Sequence, residues 1–290
     1  MTIAMNEGAQ TDRQARPYKL ASLQSRDGEP SAFDIAGRRV GGSSFMTIAG
    51  PCTVESREQM MDAGRIVRDA GAQLLRGGAY KPRTSPYSFQ GLGDEGLRLL
   101  QEAKDETGLP VATELMDVRD LDAVLEVADL IQLGARSMQN YTLLTEVGRA
   151  GRPVLLKRGL AATLEEFLMS AEYIIKEGND KVILCERGER TFEPSYRFQL
   201  DLMAIPVLKE MTHLPVVVDP SHAAGRRSLV PALSYAAAAA GADGIIVEIH
   251  PEPEQAVCDG PQALLAEEFP AYMRKLEAAA ALAGKEPVGV

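Results

Sequence analysis

From Phe45 onward, short apolar runs alternate with longer segments whose apolar residues recur at helical spacing. No other feature of the chain narrows its fold as far. Strands buried on both faces read as continuous apolar runs, and each needs a crossover helix to reach a parallel neighbour. Eight such runs are found: Phe45–Ala49, Gln73–Arg76, Pro110–Glu114, Leu130–Leu133, Val154–Lys157, Val182–Cys185, Val216–Asp219 and Gly244–Glu248. Between and after them helices are expected over Ser56–Ala70, Asp94–Thr107, Val118–Val127, Tyr141–Arg149, Thr163–Lys176, Leu200–Glu210, Ser228–Ala240 and from Pro261 to about Ala283. Thr163 and Glu166 have the spacing of a capping box, and Ser56 is a candidate N-cap. Eight strands each followed by a helix specify an α/β chain, a closed (β/α)8 TIM barrel, with an open doubly wound sheet as the competing arrangement. Residues 1–42 show no sustained periodicity and are broken at Gly28-Glu29-Pro30 and Gly41-Gly42. They read as a short polar N-terminal extension, which leaves residues 43–290 for the catalytic barrel.

Charge and cysteine usage exclude several classes of function. A formal net charge of −10 argues against nucleic acid as a partner. No apolar run reaches the ~18 residues of a membrane span, and the opening MTIAMNEGAQTDRQAR lacks a secretory apolar core. Cys52, Cys185 and Cys258 are widely spaced, which suits a reducing compartment, so a cytoplasmic location is expected. The glycine-rich stretches, Gly37–Gly42 and Gly77-Gly78, match neither a dinucleotide fingerprint nor a phosphate loop. The alanine run Ala236–Ala240 reads as a face that lets a helix lie close on the barrel.

The active site of such a barrel is built at the C-terminal ends of its strands. Reactive or cationic residues collect there along the whole chain: Cys52; Arg76 with Lys81 and Arg83; Glu114; Arg136; Lys157 with Arg158; Glu186 with Arg187; Asp219 with His222; and Glu248 with His250 and Asp259. Any one of them alone reads as a solvated charge or an ion pair. Together, the cations exceed what one carboxylate needs and suit two phosphorylated ligands, since arginine binds phosphate oxygens bidentately and lysine adds a point charge. Cys52, His222, Glu248 and Asp259 offer sulfur, nitrogen and oxygen donors, a mixture that suits manganese, iron, cobalt or zinc.

The ordered motifs AGPCTVES (Ala49–Ser56), LLRGGAYKPRTSPYSFQGLG (Leu74–Gly93), ATELMD (Ala112–Asp117), IQLGARSMQN (Ile131–Asn140), LLKRGLAAT (Leu155–Thr163), CERG (Cys185–Gly188), VDPSHAAGRR (Val218–Arg227) and VEIHPEPEQAVCDG (Val247–Gly260) carry a family resemblance. Over roughly Phe45 to Leu265 the chain resembles the type I-beta 3-deoxy-D-arabino-heptulosonate 7-phosphate (DAHP) synthases. The resemblance implies a (β/α)8 barrel that condenses phosphoenolpyruvate with erythrose 4-phosphate, the first step of the shikimate pathway to aromatic amino acids. It implies a divalent ion, foremost Mn2+, with Fe2+, Co2+ or Zn2+ as alternatives, held by Cys52, His222, Glu248 and Asp259. Arg76, Lys81, Arg136, Lys157 and Arg187 would hold phosphoenolpyruvate, with Arg158 and Glu186 beside them. Arg83, Thr84 and Ser85 would meet the aldose phosphate. Lys157, Glu114 and His222 are the expected catalytic residues, with Glu114 near the water that attacks C2. A homotetramer or homodimer is expected.

The related octulosonate 8-phosphate synthases share the chemistry with a five-carbon aldose. They carry Lys-Ala-Asn-Arg where this chain has Lys81-Pro82-Arg83-Thr84, which favours the four-carbon substrate. Two places depart from the pattern. The family tends to read Arg-Asn-Thr-Leu-Asp where this chain has Arg197-Phe198-Gln199-Leu200-Asp201, and a serine is common where Cys258 stands. Relatives often carry a separate effector domain; a lead of about 42 residues is too short to fold one, so little inhibition by aromatic amino acids or prephenate is expected.

Overall fold

The computed structural model describes residues 17–287; the reading of the first sixteen residues lies outside the described segment. Eight parallel strands, β3 (Ser44–Gly50), β4 (Leu74–Arg76), β5 (Val111–Glu114), β6 (Leu130–Leu133), β7 (Val154–Lys157), β8 (Val182–Glu186), β9 (Val216–Val218) and β10 (Gly244–His250), pair in sequence order. The sheet closes on itself, because β10 pairs with β3 in parallel from Gly244↔Met46 to Glu248↔Gly50. Closure decides for the barrel over the open sheet.

The crossovers are α1 (Arg57–Asp69), α2 (Asp94–Thr107), α3 (Leu121–Val127), α4 (Tyr141–Ala150), α5 (Leu164–Lys176), α6 (Ala204–Met211), a short α7 (Pro220–Ala224), α8 (Val230–Ala239) and α9 (Phe269–Ala281). Ser56 caps α1 by accepting from the Gln59 amide, and Thr163 with Glu166 forms the expected capping box on α5. Two helices, α6 and α9, start four residues or more later than the spacing predicts. The chain before α6 is held by a backbone bridge between Glu189 and Gln199, and α6 begins only after Asp201 accepts from the Ala204 amide. Before α9, residues 264 and 265 pair with β10, so the segment carrying Asp259 stays at the barrel mouth.

Side chains alternate across each strand. Met46, Ile48, Leu74, Ala112, Leu130, Leu155, Ile183, Val217 and Ile246 fill the barrel interior, whereas residues such as Leu75, Val111, Ile131, Leu156 and Leu184 pack under the helices.

The N-terminal extension is more ordered than its composition suggests. It contains the antiparallel pair β1 (Ala32–Ile35) and β2 (Arg38–Gly41), joined at Ala36 and Gly37 with φ of 45° and 83°. Two positive φ values in a two-residue loop define the turn whose twist suits a hairpin. Ile35 and Val40 are fully buried against the interior cluster, so the hairpin closes the barrel opposite the strands' C-terminal ends.

Candidate active site and metal cluster

The strand period of two explains how the site arises. Two residues beyond the last apolar interior side chain of seven of the eight strands, the inward face turns polar: Leu74 leads to Arg76, Ala112 to Glu114, Leu130 to Gln132, Leu155 to Lys157, Cys185 to Arg187, Val217 to Asp219 and Ile246 to Glu248, whereas Ile48 leads to Gly50. The apolar interior thus becomes the floor of a cavity of about 730 Å³.

Cys52, His222, Glu248 and Asp259 converge, with one donor atom from each lying within 4.8 Å of the others. Cys52 Sγ is 3.0 Å from Asp259 Oδ2, and His222 Nε2 is 3.2 Å from Glu248 Oε1. The imidazole is oriented from behind, because its Nδ1 lies 2.7 Å from Asp219 Oδ2, which leaves Nε2 facing the cluster. A carboxylate behind a histidine is the usual support for a metal ligand. Arg76 donates to Glu248 Oε1 at 3.0 Å, and Lys81 Nζ lies 2.5 Å from Cys52 Sγ. Burial pushes the Cys52 thiol well above its ordinary value, whereas the hydrogen bond shared with Cys52 pulls Cys258 down. Burial works against charge on Lys81, but Cys52 and Glu248 hold its ammonium above the usual range. Asp259 is held below the carboxylate range by Lys81 and Cys52, although burial opposes this. One sulfur, one imidazole nitrogen and two carboxylates at this separation fit a divalent ion.

Arg76, Lys81, Arg83, Thr84, Ser85, Glu114, Arg136, Lys157, Arg187 and His222 all line the cavity, as their positions predict. Arg76, Lys157 and Arg187 are almost entirely buried in its floor, and Lys157 donates to Asp219 Oδ2 at 2.6 Å. Arg136, Thr84 and Ser85 are exposed at the rim, where Arg136 holds the Lys81–Ser85 loop through the Pro82 carbonyl at 3.1 Å. Glu114 accepts from Gln132 Nε2 at 3.3 Å. Its carboxylate reaches past Gly134, where a Cβ would lie 2.3 Å from Oε1, so only glycine permits that approach.

Arg158 and Glu186 do not join this lining. Each lies one position out of register with the inward face. They pair with one another at 2.9 Å, Arg158 also reaching Asp201 at 3.0 Å and the Ala162 carbonyl at 2.9 Å. The two support the wall from behind. Conversely, Gln132 and Arg190 line the cavity without having been singled out as site residues, and Arg197 and Phe198, from the segment that departs from the family pattern, line it too. Gln132 is legible from the strand period alone, whereas the other three come from a loop with no periodic signal. Gln262, which donates to Glu248 and accepts from Arg197 Nη1 at 3.0 Å, ends the short 3-10 turn Gly260–Gln262.

A closed barrel with a thiol, imidazole and carboxylate cluster beneath a cation-lined cavity has the donors for a metal ion and the charge for anionic ligands. The comparisons with known proteins agree. The model of the DAHP synthetase I family matches residues 31–282, and the chain belongs to that family. The chain is similar to the phospho-2-dehydro-3-deoxyheptonate aldolase of Thermotoga maritima, at 52% identity over 265 residues, covering 91% of this chain and 78% of that protein. A crystal structure of the Thermotoga maritima DAHP synthase superposes with a TM-score of 0.91 at 50% identity, covering 95% of this chain and 80% of that one. A 2-dehydro-3-deoxyphosphooctonate aldolase from Syntrophobacter fumaroxidans is 34% identical over 262 residues, covering 84% of this chain and 90% of that protein. DAHP formation, the first step of the shikimate pathway, stands on this family membership. No helix among the described residues is long and apolar enough to cross a membrane.

Proposed function

We propose that this chain condenses phosphoenolpyruvate with erythrose 4-phosphate, yielding DAHP and inorganic phosphate. The observation that carries this reading is the meeting, in one cavity, of the four-donor cluster with enough cations for two phosphorylated substrates. Arg76, Lys81, Arg136, Lys157 and Arg187 bind the phosphate and carboxylate of phosphoenolpyruvate, and Arg83, Thr84 and Ser85 take the aldose phosphate at the rim. The C2=C3 electron pair of the enol phosphate forms a bond to the aldehyde carbon, the aldehyde oxygen takes up a proton, and C2 is left electron-poor. Water then adds at C2, Glu114 accepts its proton, and the C2–O bond to phosphate breaks while the surrounding guanidinium and ammonium groups stabilise the departing anion. Lys157 supplies a proton in this sequence, and His222, held by Asp219, serves the metal cluster.

Cys52, His222, Glu248 and Asp259 hold the divalent ion in this reading, with Mn2+ expected and Fe2+, Co2+ or Zn2+ as alternatives. When bound, such an ion supplies Lewis-acid polarisation of a carbonyl oxygen. A homotetramer or homodimer belongs to the same reading. Product analysis with erythrose 4-phosphate and arabinose 5-phosphate side by side tests the choice of aldose. Phosphate release with the four-carbon substrate alone is expected, and preference for the five-carbon one would overturn the assignment in favour of the octulosonate reaction.

A further inference from the structure

The loop after β8 contributes a group that is neither charged nor hydrogen-bonding. Gly188, with a φ of 89°, turns the chain sharply after Arg187. Glu189 and Gln199 then bridge through backbone hydrogen bonds of 2.9 and 3.0 Å, and the Phe198 amide donates to the Ala223 carbonyl at 2.9 Å. This closure brings the Phe198 ring against Arg187, whose Cζ stands 4.4 Å from the ring centroid. Arg197 and Arg190 approach the same ring at 5.7 and 6.0 Å.

Arg187 is buried, and burial works against its charge. Its Nη2 donates to the His222 carbonyl at 3.4 Å, whereas Nη1 is buried with no hydrogen-bond partner among the described residues. A buried guanidinium nitrogen left without a partner is costly, so it points to an anionic ligand in the cavity it lines. A carboxylate in place of the ring would hold Arg187 too, but it would occupy the donors and cancel the charge the ligand needs. The face of an aromatic ring attracts a cation while accepting none of its in-plane N–H bonds.

We propose that Phe198 is a positioning residue for the enol phosphate substrate, holding Arg187 through its ring face so that the guanidinium donors stay uncommitted until the anion binds. This rests on the reading of Arg187 as a phosphoenolpyruvate contact. Phe198 also lessens the mutual repulsion of Arg187, Arg190 and Arg197, since all three cations share one region of negative potential. The effect is therefore on the affinity for phosphoenolpyruvate rather than for the aldose phosphate, which is assigned to Arg83 on the loop after β4.

The test measures phosphoenolpyruvate binding to the metal-loaded full chain by titration calorimetry, with Michaelis constants for both substrates alongside. Phe198→Leu keeps an apolar side chain in the loop and should weaken phosphoenolpyruvate binding about 5- to 30-fold, the range that cation–π contacts span from partly exposed to desolvated. The Michaelis constant for erythrose 4-phosphate should stay within about twofold, and Phe198→Tyr should restore binding. In an Arg187→Gln background the further change Phe198→Leu should cost less than about twofold, because the partner of the ring is gone. Unchanged binding by Phe198→Leu, or the same loss with and without Arg187, overturns the proposal. If the unaltered protein binds phosphoenolpyruvate but forms no DAHP, the functional reading fails while the binding data still decide the role of Phe198. If it binds none, both fall.

Discussion

Asp219 is fully buried, yet it accepts from the His222 amide at 3.0 Å, from His222 Nδ1 at 2.7 Å and from Lys157 Nζ at 2.6 Å. Burial alone would raise its pKa, but His222 and Lys157 beside it hold the carboxyl well below the usual range. One side chain thus fixes both the tautomer of the cluster histidine and the position of a cavity lysine. Asp219→Asn keeps the shape but removes the charge, and metal affinity should fall about 10- to 100-fold, as is usual when support behind a ligand is lost. Competition with a calibrated chelator measures this, and an unchanged affinity would deny Asp219 that role. At the rim, Arg83 Nη1 donates to the Cys258 sulfur at 3.3 Å, and the residue lines the cavity where an aldose phosphate would enter. Arg83→Ala should raise the Michaelis constant for the aldose phosphate about 10- to 150-fold, the worth of a charge-assisted contact of roughly 1.5–3 kcal/mol. Equal losses for both substrates would mean that Arg83 does not separate them. The inward-facing groups were legible in the sequence because the strand period is two. Arg158 and Glu186 follow or precede the inward Lys157 and Arg187 by one position, so their side chains turn to the other side of the strand and pair there.

At the scale of the element, the N-terminal extension is tied down by polar contacts that no hydrophobic pattern announces. The Glu172 carboxylate on α5 accepts from the Lys19, Leu20 and Ala21 amides at 2.9, 2.7 and 2.8 Å. His213 lies between Ser31 Oγ at 2.6 Å and the Leu20 carbonyl at 2.9 Å. Glu172→Ala should speed amide exchange in the segment from Lys19 to Ala21 about tenfold, since it removes charge-assisted acceptors; unaltered exchange there would show that other contacts hold the segment. His213 adds a pH dependence. Burial lowers its pKa below 6.5, although the Leu20 carbonyl pulls the other way. Its neutral form is therefore favoured by folding. The unfolded chain binds more protons between the depressed folded value and about 6.5, so stability rises with pH across that window and is lost as the pH falls through it. Thermal unfolding from about pH 7.5 to about pH 5.5 should show a loss that His213→Gln flattens; an equal slope in that variant would assign the loss to other groups. The hairpin was hidden for a local reason. Ala36 takes a left-handed conformation that Asn or Gly usually marks, so no turn signature was visible. The capped helices, by contrast, were legible because Ser56 and Thr163 act through neighbours within three positions.

For the whole molecule, closure of the sheet joins the two ends of the barrel sequence in one cluster. Cys52 and Asp259 are 207 positions apart, and they meet because β10 pairs with β3. An ion held by Cys52, His222, Glu248 and Asp259 therefore links the segment after the first barrel strand to those after the seventh and eighth, and its binding energy adds to the closed state rather than to any one element. Metal binding should raise the unfolding temperature, by about 2.7 kcal/mol of stability at a free concentration a hundred times the dissociation constant. For a barrel of this size that is a shift of about 5 °C or more, since each kcal/mol moves the midpoint by about 2–4 °C in chains of 150–250 residues. Cys52→Ser should bind the ion more weakly, lose most of this shift and most activity, because a hydroxyl is a poor replacement for thiolate. Chelation should abolish turnover, and Mn2+ or a similar ion should restore turnover and midpoint together. Full activity in protein shown to be metal-free by elemental analysis would remove the metal from the reaction, whereas restored activity without a shift in midpoint would place the ion on the substrate rather than at the seam of the barrel.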